Sequence, residues 1–364
     1  MPVPATLLWI EPEQAEFFRA ACDAAGMAIA HVGTPAAGKT REVAELLGAE
    51  PIDDLRALLA RADNVLIVLG TTAGVDASGE SESLLGCVDR GLSIASLEPL
   101  PGSILDVRVG AFGTGEEDGM GLSLGPEPAV APGLDAGEEL ASFVPLARLS
   151  RSVRDAAEVI TQLGALRMVS MQALSGPGQG SLGARVYDSM ELVLWLLGQP
   201  DRVDAAYVAP PVARGRGVHQ LPGESLRGLE GDLCANMRFA DGRAASVVAS
   251  SLAGRWSRTI TLVGENGRVR IYDDGLEWIG PDGRIIDATR DTARVRGSAA
   301  TEQPIGPAVR AVADQLTRLA DTDRAPDAPT NLTAVLAATG AALLSARTGE
   351  GESPDTILRM ARAG

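Results

Sequence analysis

Four short apolar runs, Thr6–Ile10, Met27–Val32, Asn64–Leu69 and Leu92–Leu97, alternate with segments of helical periodicity over Glu13–Ala25, Thr40–Leu47, Leu55–Arg61 and Ser81–Arg90. Strands that alternate with helices must be joined by crossovers, and crossovers build parallel sheets. Asn64–Leu69 is apolar without a polar face, as a strand buried on both sides requires. The first hundred residues therefore predict an α/β unit with a Rossmann-like, doubly wound parallel sheet. Ile52 begins a further short extended piece, and Asp53 or Asp54 is placed to cap the helix Leu55–Arg61.

The pattern then changes. Gly110–Glu139 is rich in Gly, Pro and acids and has no periodicity, so it reads as a long surface loop, an ornament or a lid. Order returns at Leu146, with a helix over Ser152–Leu163, a strand over Arg167–Ala173, a glycine-rich stretch and a strong helix ending at Gly198. Strand-like runs follow at Ala205–Val208, Glu230–Phe239, Ala244–Ser251, Thr259–Val263, Arg268–Tyr272 and Gly275–Ile279. The turns Asp241-Gly242, Glu265-Asn266-Gly267 and Pro281-Asp282-Gly283 are hairpin signals, so this half predicts a C-terminal α+β domain with a large, mostly antiparallel open sheet. Helices over Ile305–Leu319 and Leu332–Arg347 and a tail helix from Pro354 close the chain. The expected division is 1–109, a loop and linker over 110–145, and 146–364, with the terminal helices returning to the first domain.

A net charge of -16 repels a phosphate backbone and an anionic membrane surface, which removes nucleic acid and membrane as partners. Cys22, Cys87 and Cys234 have neither metal nor disulfide spacing. Nothing is long and apolar enough to span a bilayer, and Met1–Ile10 lacks a basic start, so the expectation is a cytoplasmic protein.

Five stretches carry a resemblance by their order and spacing: "TREVAELLGAEPIDDLRALLARADNVLIVLGT", "DSMELVLWLLGQPDRVDA", "ANMRFADGRAASVVASS", "ITLVGENGRVRI" and "AALLSARTGEG". Together they resemble the Gfo/Idh/MocA family of oxidoreductases over most of the chain. The resemblance implies a Rossmann domain, a C-terminal domain whose open sheet forms a dimer or tetramer, and NAD(P)-dependent chemistry on a sugar or cyclitol. The residues that should carry that chemistry are missing. Where the family ends its first strand in G-x-G-x-x-G, this chain has Glu11, Glu13 and Glu16. Each adds bulk and negative charge where a pyrophosphate should approach bare backbone. At an effective dielectric of about 20, one like-charge contact at 4 Å costs roughly 4 kcal/mol, and two would remove the roughly 8 kcal/mol of a micromolar affinity. The ribose-binding acid expected after the second strand falls near Val32. In "SLEPLP", Glu98 stands at the family's lysine and Leu97 at its glutamate. In "ARVYDSMELVLWLLG", a register fixed on Trp195 and Gly198 puts Ala184 at the first acid, Asp188 at the histidine and Glu191 at the last acid.

The resemblance therefore implies a relative without a nicotinamide cofactor, in which Glu98, Asp188 and Glu191 face an interdomain cleft. Paired carboxylates of this kind can act as general acid and base. They can also hold a divalent cation, although no metal site is assigned. Equally, Glu191 can pair with an arginine. Arg185, Tyr187 and His219 are candidate contacts for a small polar, sugar-like ligand. One motif points elsewhere: "GTPAAGKT" fits the P-loop pattern, with Gly33, Gly38, Lys39 and Thr40 at its fixed positions and Lys39 the only lysine in the chain. Three readings follow: a ligand-binding, non-redox relative or partner protein; a lyase, isomerase or hydrolase using cleft carboxylates; or an NAD(P)-dependent sugar oxidoreductase with an atypical cofactor site.

Overall fold

The computed structural model describes residues 5–62, 65–75, 80–108, 134–135, 140–210, 220–290, 305–321 and 330–363. The first domain runs β1 (Ala5–Trp9), α1 (Ala15–Ala25), β2 (Ala28–Gly33), α2 (Thr40–Leu47), β3 (Glu50–Pro51), α3 (Leu55–Ala60), β4 (Leu66–Leu69), α4 (Glu80–Asp89) and β5 (Ile94–Ser96). Two short strands, β6 (Val107–Arg108) and β7 (Leu134–Asp135), pair with each other, and β8 (Ser142–Phe143) returns to the main sheet. The order across that sheet is β3-β2-β1-β4-β5-β8, and every pairing is parallel. Successive side chains alternate between its faces. Leu7, Trp9, Ile67, Leu69 and Ile94 join a cluster with Leu55, Leu58 and Leu84 of α3 and α4. Leu8, Ile10, Leu66, Val68 and Ala95 join one with Phe18, Ala21 and Cys22 of α1. Asp54 caps α3, its carboxylate accepting the Arg56 N–H at 3.0 Å.

The second domain adds α5 (Arg151–Asp155), α6 (Ala157–Gln162), β9 (Leu166–Leu174), α7 (Leu182–Leu197), β10 (Arg202–Val208), β11 (Asp232–Arg238), β12 (Ala244–Ser250), β13 (Ser257–Gly264), β14 (Gly267–Tyr272), β15 (Gly275–Ile279) and β16 (Ile285–Arg290). Its eight strands lie in the order β10-β11-β12-β9-β13-β14-β15-β16, antiparallel except where β9 meets β12. One face is covered by α7 and by α9 (Leu332–Thr348), which contribute Val186, Met190, Val335 and Ala338 to the core against Val169, Met171 and Leu262. The other face carries small and polar residues in register, such as Ser246, Ser170 and Thr261, with Met168 and Val248 exposed among them. After α8 (Pro307–Ala320) and α9, the helix α10 (Pro354–Ala363) lies against α9. α8 leaves this domain and packs on α1, placing Val312 and Leu316 in the first domain's core.

β8 lies inside the stretch read as loop and linker; two residues carry no periodicity. The helix expected over Ser152–Leu163 is two helices, divided by a turn at Ala156, whose N–H bonds back to the Ser152 and Arg154 carbonyls. β10 starts three residues earlier than expected, and β16 was not foreseen. Of Gly110–Glu139 only Leu134–Asp135 is among the described residues. No helix among them is long and apolar enough to cross a membrane.

Candidate functional site

The C-terminal ends of β1, β4 and β5 face the N-terminus of α7 across an interdomain cleft of about 570 Å³. This is the switch point of the parallel sheet, where strand order reverses between β1 and β4 and where open α/β sheets bind ligands. Its lining carries four carboxylates, Glu11, Glu13, Glu98 and Glu230, against one guanidinium, Arg227. Arg227 is turned to the wall, donating to the Val75 carbonyl at 3.1 Å and lying 3.9 Å from Asp106.

The turn after β1 is closed by a side chain that sequence reading did not single out. Gln14 is buried, accepts the Glu11 N–H at 2.9 Å and donates to the Gly70 carbonyl at 2.8 Å. Its amide thereby ties the β1 turn to the end of β4 across the switch-point crevice. A Cβ on Gly70 would lie 2.7 Å from the Gln14 oxygen and 2.5 Å from the Phe18 ring, so only glycine fits there. The residue that opens the first helical turn, Pro12, has no N–H, and the Gln14 N–H is spent on the Glu11 carbonyl. Glu11 accepts from the Thr71 hydroxyl at 3.3 Å; burial and the neighbouring Glu13 charge raise its pKa, with the Thr71 bond opposing. From the other side, Gly178 comes so close that a Cβ on it would stand 3.3 Å from the Glu13 carbonyl oxygen. Glu16, the third substituted position, is exposed on α1 and does not line the cleft.

Glu98 lies on the cleft wall where β5 ends. A local turn holds it, its N–H bonded to Ser96 Oγ at 3.1 Å and its carbonyl accepting from the same hydroxyl at 2.7 Å. Its carboxylate reaches the second domain, accepting the Ser181 N–H at 2.8 Å and the Ser181 hydroxyl. Ser181 is also the cap of α7, accepting the Ala184 N–H at 3.1 Å. Burial pushes Glu98 up to about 7; the Ser181 bonds and the Arg185 charge pull the other way.

Asp188 and Glu191 correct the expectation of three cleft carboxylates. Both are buried within the second domain and neither lines the cleft. Asp188 accepts from the Ala147 N–H at 2.5 Å and from Arg258 at 3.3 Å. Glu191 is bonded to Arg148 Nε at 2.7 Å and accepts from Thr330 at 3.4 Å. Two carboxylates on a helix face packed against a sheet need cations, and the chain supplies them from 43 and 70 residues away, a distance no local pattern reveals. Ala184 is buried beside them. Tyr187 is buried with its ring 5.1 Å from that of Phe143. His219 lies outside the described residues.

Arg185 is different. It is fully buried (0 % exposed), and Nε, Nη1 and Nη2 bond to no acceptor among the described residues. The guanidinium stands over the Trp256 ring, 4.3 Å from its centre. Burial lowers its pKa to about 10, opposed first by Asp188, so it stays charged at neutral pH. An unsatisfied buried donor costs about 1–3 kcal/mol, whereas a desolvated cation–π contact returns roughly 2.

The P-loop-like residues lie apart from the cleft. Lys39 is exposed and pairs with Glu42 at 2.8 Å, and Thr40 begins α2. Gly33 is needed by packing: a Cβ there would meet the Trp9 ring at 2.5 Å. Gly38 forms the turn with φ 75°. No group of His, Cys, Asp and Glu among the described residues has the arrangement of a metal site.

No protein-family model matches the chain, and no curated protein matches it. Solved structures do. An oxidoreductase from Agrobacterium radiobacter in complex with NAD+, L-tartaric acid and magnesium is 15 % identical, with a TM-score of 0.64 over 98 % of this chain and 100 % of that one. The WlbA dehydrogenase from Bordetella pertussis, in complex with NADH and UDP-GlcNAcA, is 16 % identical, with a TM-score of 0.59 over 97 % and 98 %. A myo-inositol dehydrogenase assigned in Sinorhizobium meliloti is likewise 16 % identical, with a TM-score of 0.59 over 96 % and 99 %. At these identities the likeness is one of fold: this chain has the two-domain architecture of the Gfo/Idh/MocA-type oxidoreductases, a Rossmann-like parallel sheet joined to a large, mostly antiparallel one.

Proposed function

We propose that this chain is a non-redox relative of the Gfo/Idh/MocA oxidoreductases that binds a small polar, sugar-like molecule in its interdomain cleft without NAD(P). The observation that carries this reading is the Gln14 amide bonded to both Glu11 and Gly70. A dinucleotide places its diphosphate on the first turn of this fold, beside free N–H groups and bare glycine. Here the first residue of that turn is proline, the crevice is tied by Gln14, and Glu11 and Glu13 bring negative charge. Neither a lysine nor a histidine among the described residues lines the cleft. The residues present do not fit the cofactor.

What remains suits a polyol. Glu11, Glu13 and Glu230 can accept from hydroxyls, and Ser181, Ser251, Thr71 and Thr72 can exchange hydrogen bonds with them. Glu98 favours a second reading, a non-redox enzyme, because a cleft carboxyl with a pKa of about 7 can give and take a proton at neutral pH. The uncovered face of the eight-stranded sheet suits a second copy of the chain.

Calorimetric titration with NADH, NADPH and ATP, then with neutral sugars and cyclitols with and without Mg²⁺, tests the proposal. The expected result is no dinucleotide or ATP binding and a heat signal from members of the sugar panel. NADH binding at micromolar strength would overturn it. Turnover of a panel member that is lost in Glu98→Gln would establish the second reading.

A further inference from the structure

We infer that the cleft's ligand carries a carboxylate and that Arg185 is the group that recognises it, making the preferred class a sugar acid; this rests on the cleft-binding reading above. Four observations converge. Arg185 is a fully buried guanidinium whose three nitrogens find no acceptor among the described residues. Its neighbours Asp188 and Glu98 act on it through space, but their oxygens are bonded elsewhere, to Ala147, Arg258 and Ser181. The guanidinium lies over the Trp256 ring, 4.3 Å from its centre, and its N–H groups are left for a planar, two-oxygen partner. Gly180 touches both it and the cleft: that glycine lines the cleft, and a Cβ on it would stand 3.1 Å from Arg185 Nη2.

The segment that would give way is a short glycine-rich turn. Gly176–Gly180 contains glycines at φ 74° and 99°, Gly178 and Gly180, and is held by three bonds: Gly176 N–H to Gln179 Oε1 (3.1 Å), Gln179 N–H to the Gly176 carbonyl (3.2 Å) and Ser175 Oγ to the Gly180 carbonyl (3.2 Å). Displacing Gly180 would open the guanidinium to the cleft. The two ends of the site then ask for opposite chemistry. Glu11, Glu13 and Glu230 accept hydrogen bonds and so take hydroxyls, whereas Arg185 only donates and takes a carboxylate. A phosphate monoester fits less well, since its second charge would face those same glutamates.

The test is calorimetry on the full chain at pH 7 with glucuronate and glucose, which share a ring and differ at the carboxylate. Glucuronate should bind about 30-fold more tightly, as one charge-assisted pair contributes. In Arg185→Lys, which keeps the charge and loses the fork, and in Arg185→Gln, that preference should vanish; far-UV circular dichroism checks that each variant is folded. The wild-type comparison needs no variant. Equal binding, or tighter binding of glucose, overturns the carboxylate assignment while leaving a sugar-binding cleft. Glucuronate preference retained in either folded variant overturns Arg185 as the recognising group. If neither sugar binds at millimolar concentration the inference falls, whereas NADH binding would sink the underlying reading instead.

Discussion

Replacing Glu98 by glutamine should stabilise the protein, and increasingly so as pH rises. Its carboxyl is 7 % exposed, and burial moves it from an ordinary 4.5 to about 7. A carboxyl whose folded value is raised favours the native state while it is protonated. That contribution is complete below pH 4.5 and is lost as pH climbs through 7. With these two values the ionised side chain costs the fold on the order of 1 kcal/mol at pH 5 and on the order of 3 kcal/mol at pH 8. Glutamine keeps the geometry: its oxygen can accept the Ser181 N–H and its amide can donate to Ser181 Oγ. Urea unfolding of wild type and Glu98→Gln at both pH values, followed by tryptophan fluorescence, reads the effect. The variant's midpoint should gain on the wild type by the equivalent of about 2–3 kcal/mol between pH 5 and pH 8. A gain independent of pH, or a variant that loses ground as pH rises, would refute the reasoning. Either would mean that the α7 N-terminus and Ser181 hold the carboxylate ionised more strongly than its burial opposes.

Arg148→Met strands the Glu191 carboxylate inside the second domain. Urea unfolding at pH 8 should show a loss of about 3–5 kcal/mol. Gln14→Leu removes both bonds that tie the β1 turn to β4, and should cost about 2–4 kcal/mol in the same assay while leaving NADH titrations silent, because Glu11, Glu13 and Pro12 remain. Light scattering should find the chain as a dimer or tetramer through the uncovered sheet face. Val248→Asp, at the centre of that face, should shift it toward monomer with an unchanged far-UV spectrum.

The fold was legible where physical pattern is local. Leu7 to Ile10 alternate between two cores, and a continuous apolar strand announces a sheet covered on both faces. The hairpins of the second domain were legible in their turns, because Asp-Gly and Asn-Gly supply backbone that other pairs resist. The site was legible only at its first turn and in Glu98, whose positions follow directly from strand ends. Asp188 and Glu191 were read on one helix face, and they are; nothing in their own segment shows that Arg258 and Arg148 meet them there. Gln14 carries a local signal, since a glutamine three residues after a turn-opening acid is the spacing of a capping box. Ser181, just before an apolar helix, carried the cap signal likewise. Arg185 could be named as polar on an apolar helix, but that its nitrogens lack acceptors is a property of the assembled core.

The return of α8 to α1 has a consequence for synthesis. Phe18 and Ala21 belong to a helix that leaves the ribosome long before the residues that complete its core, Val312 and Leu316. Throughout translation of the second domain the first one carries an unfinished greasy flank. A chain stopped before residue 305 would keep that flank open for good.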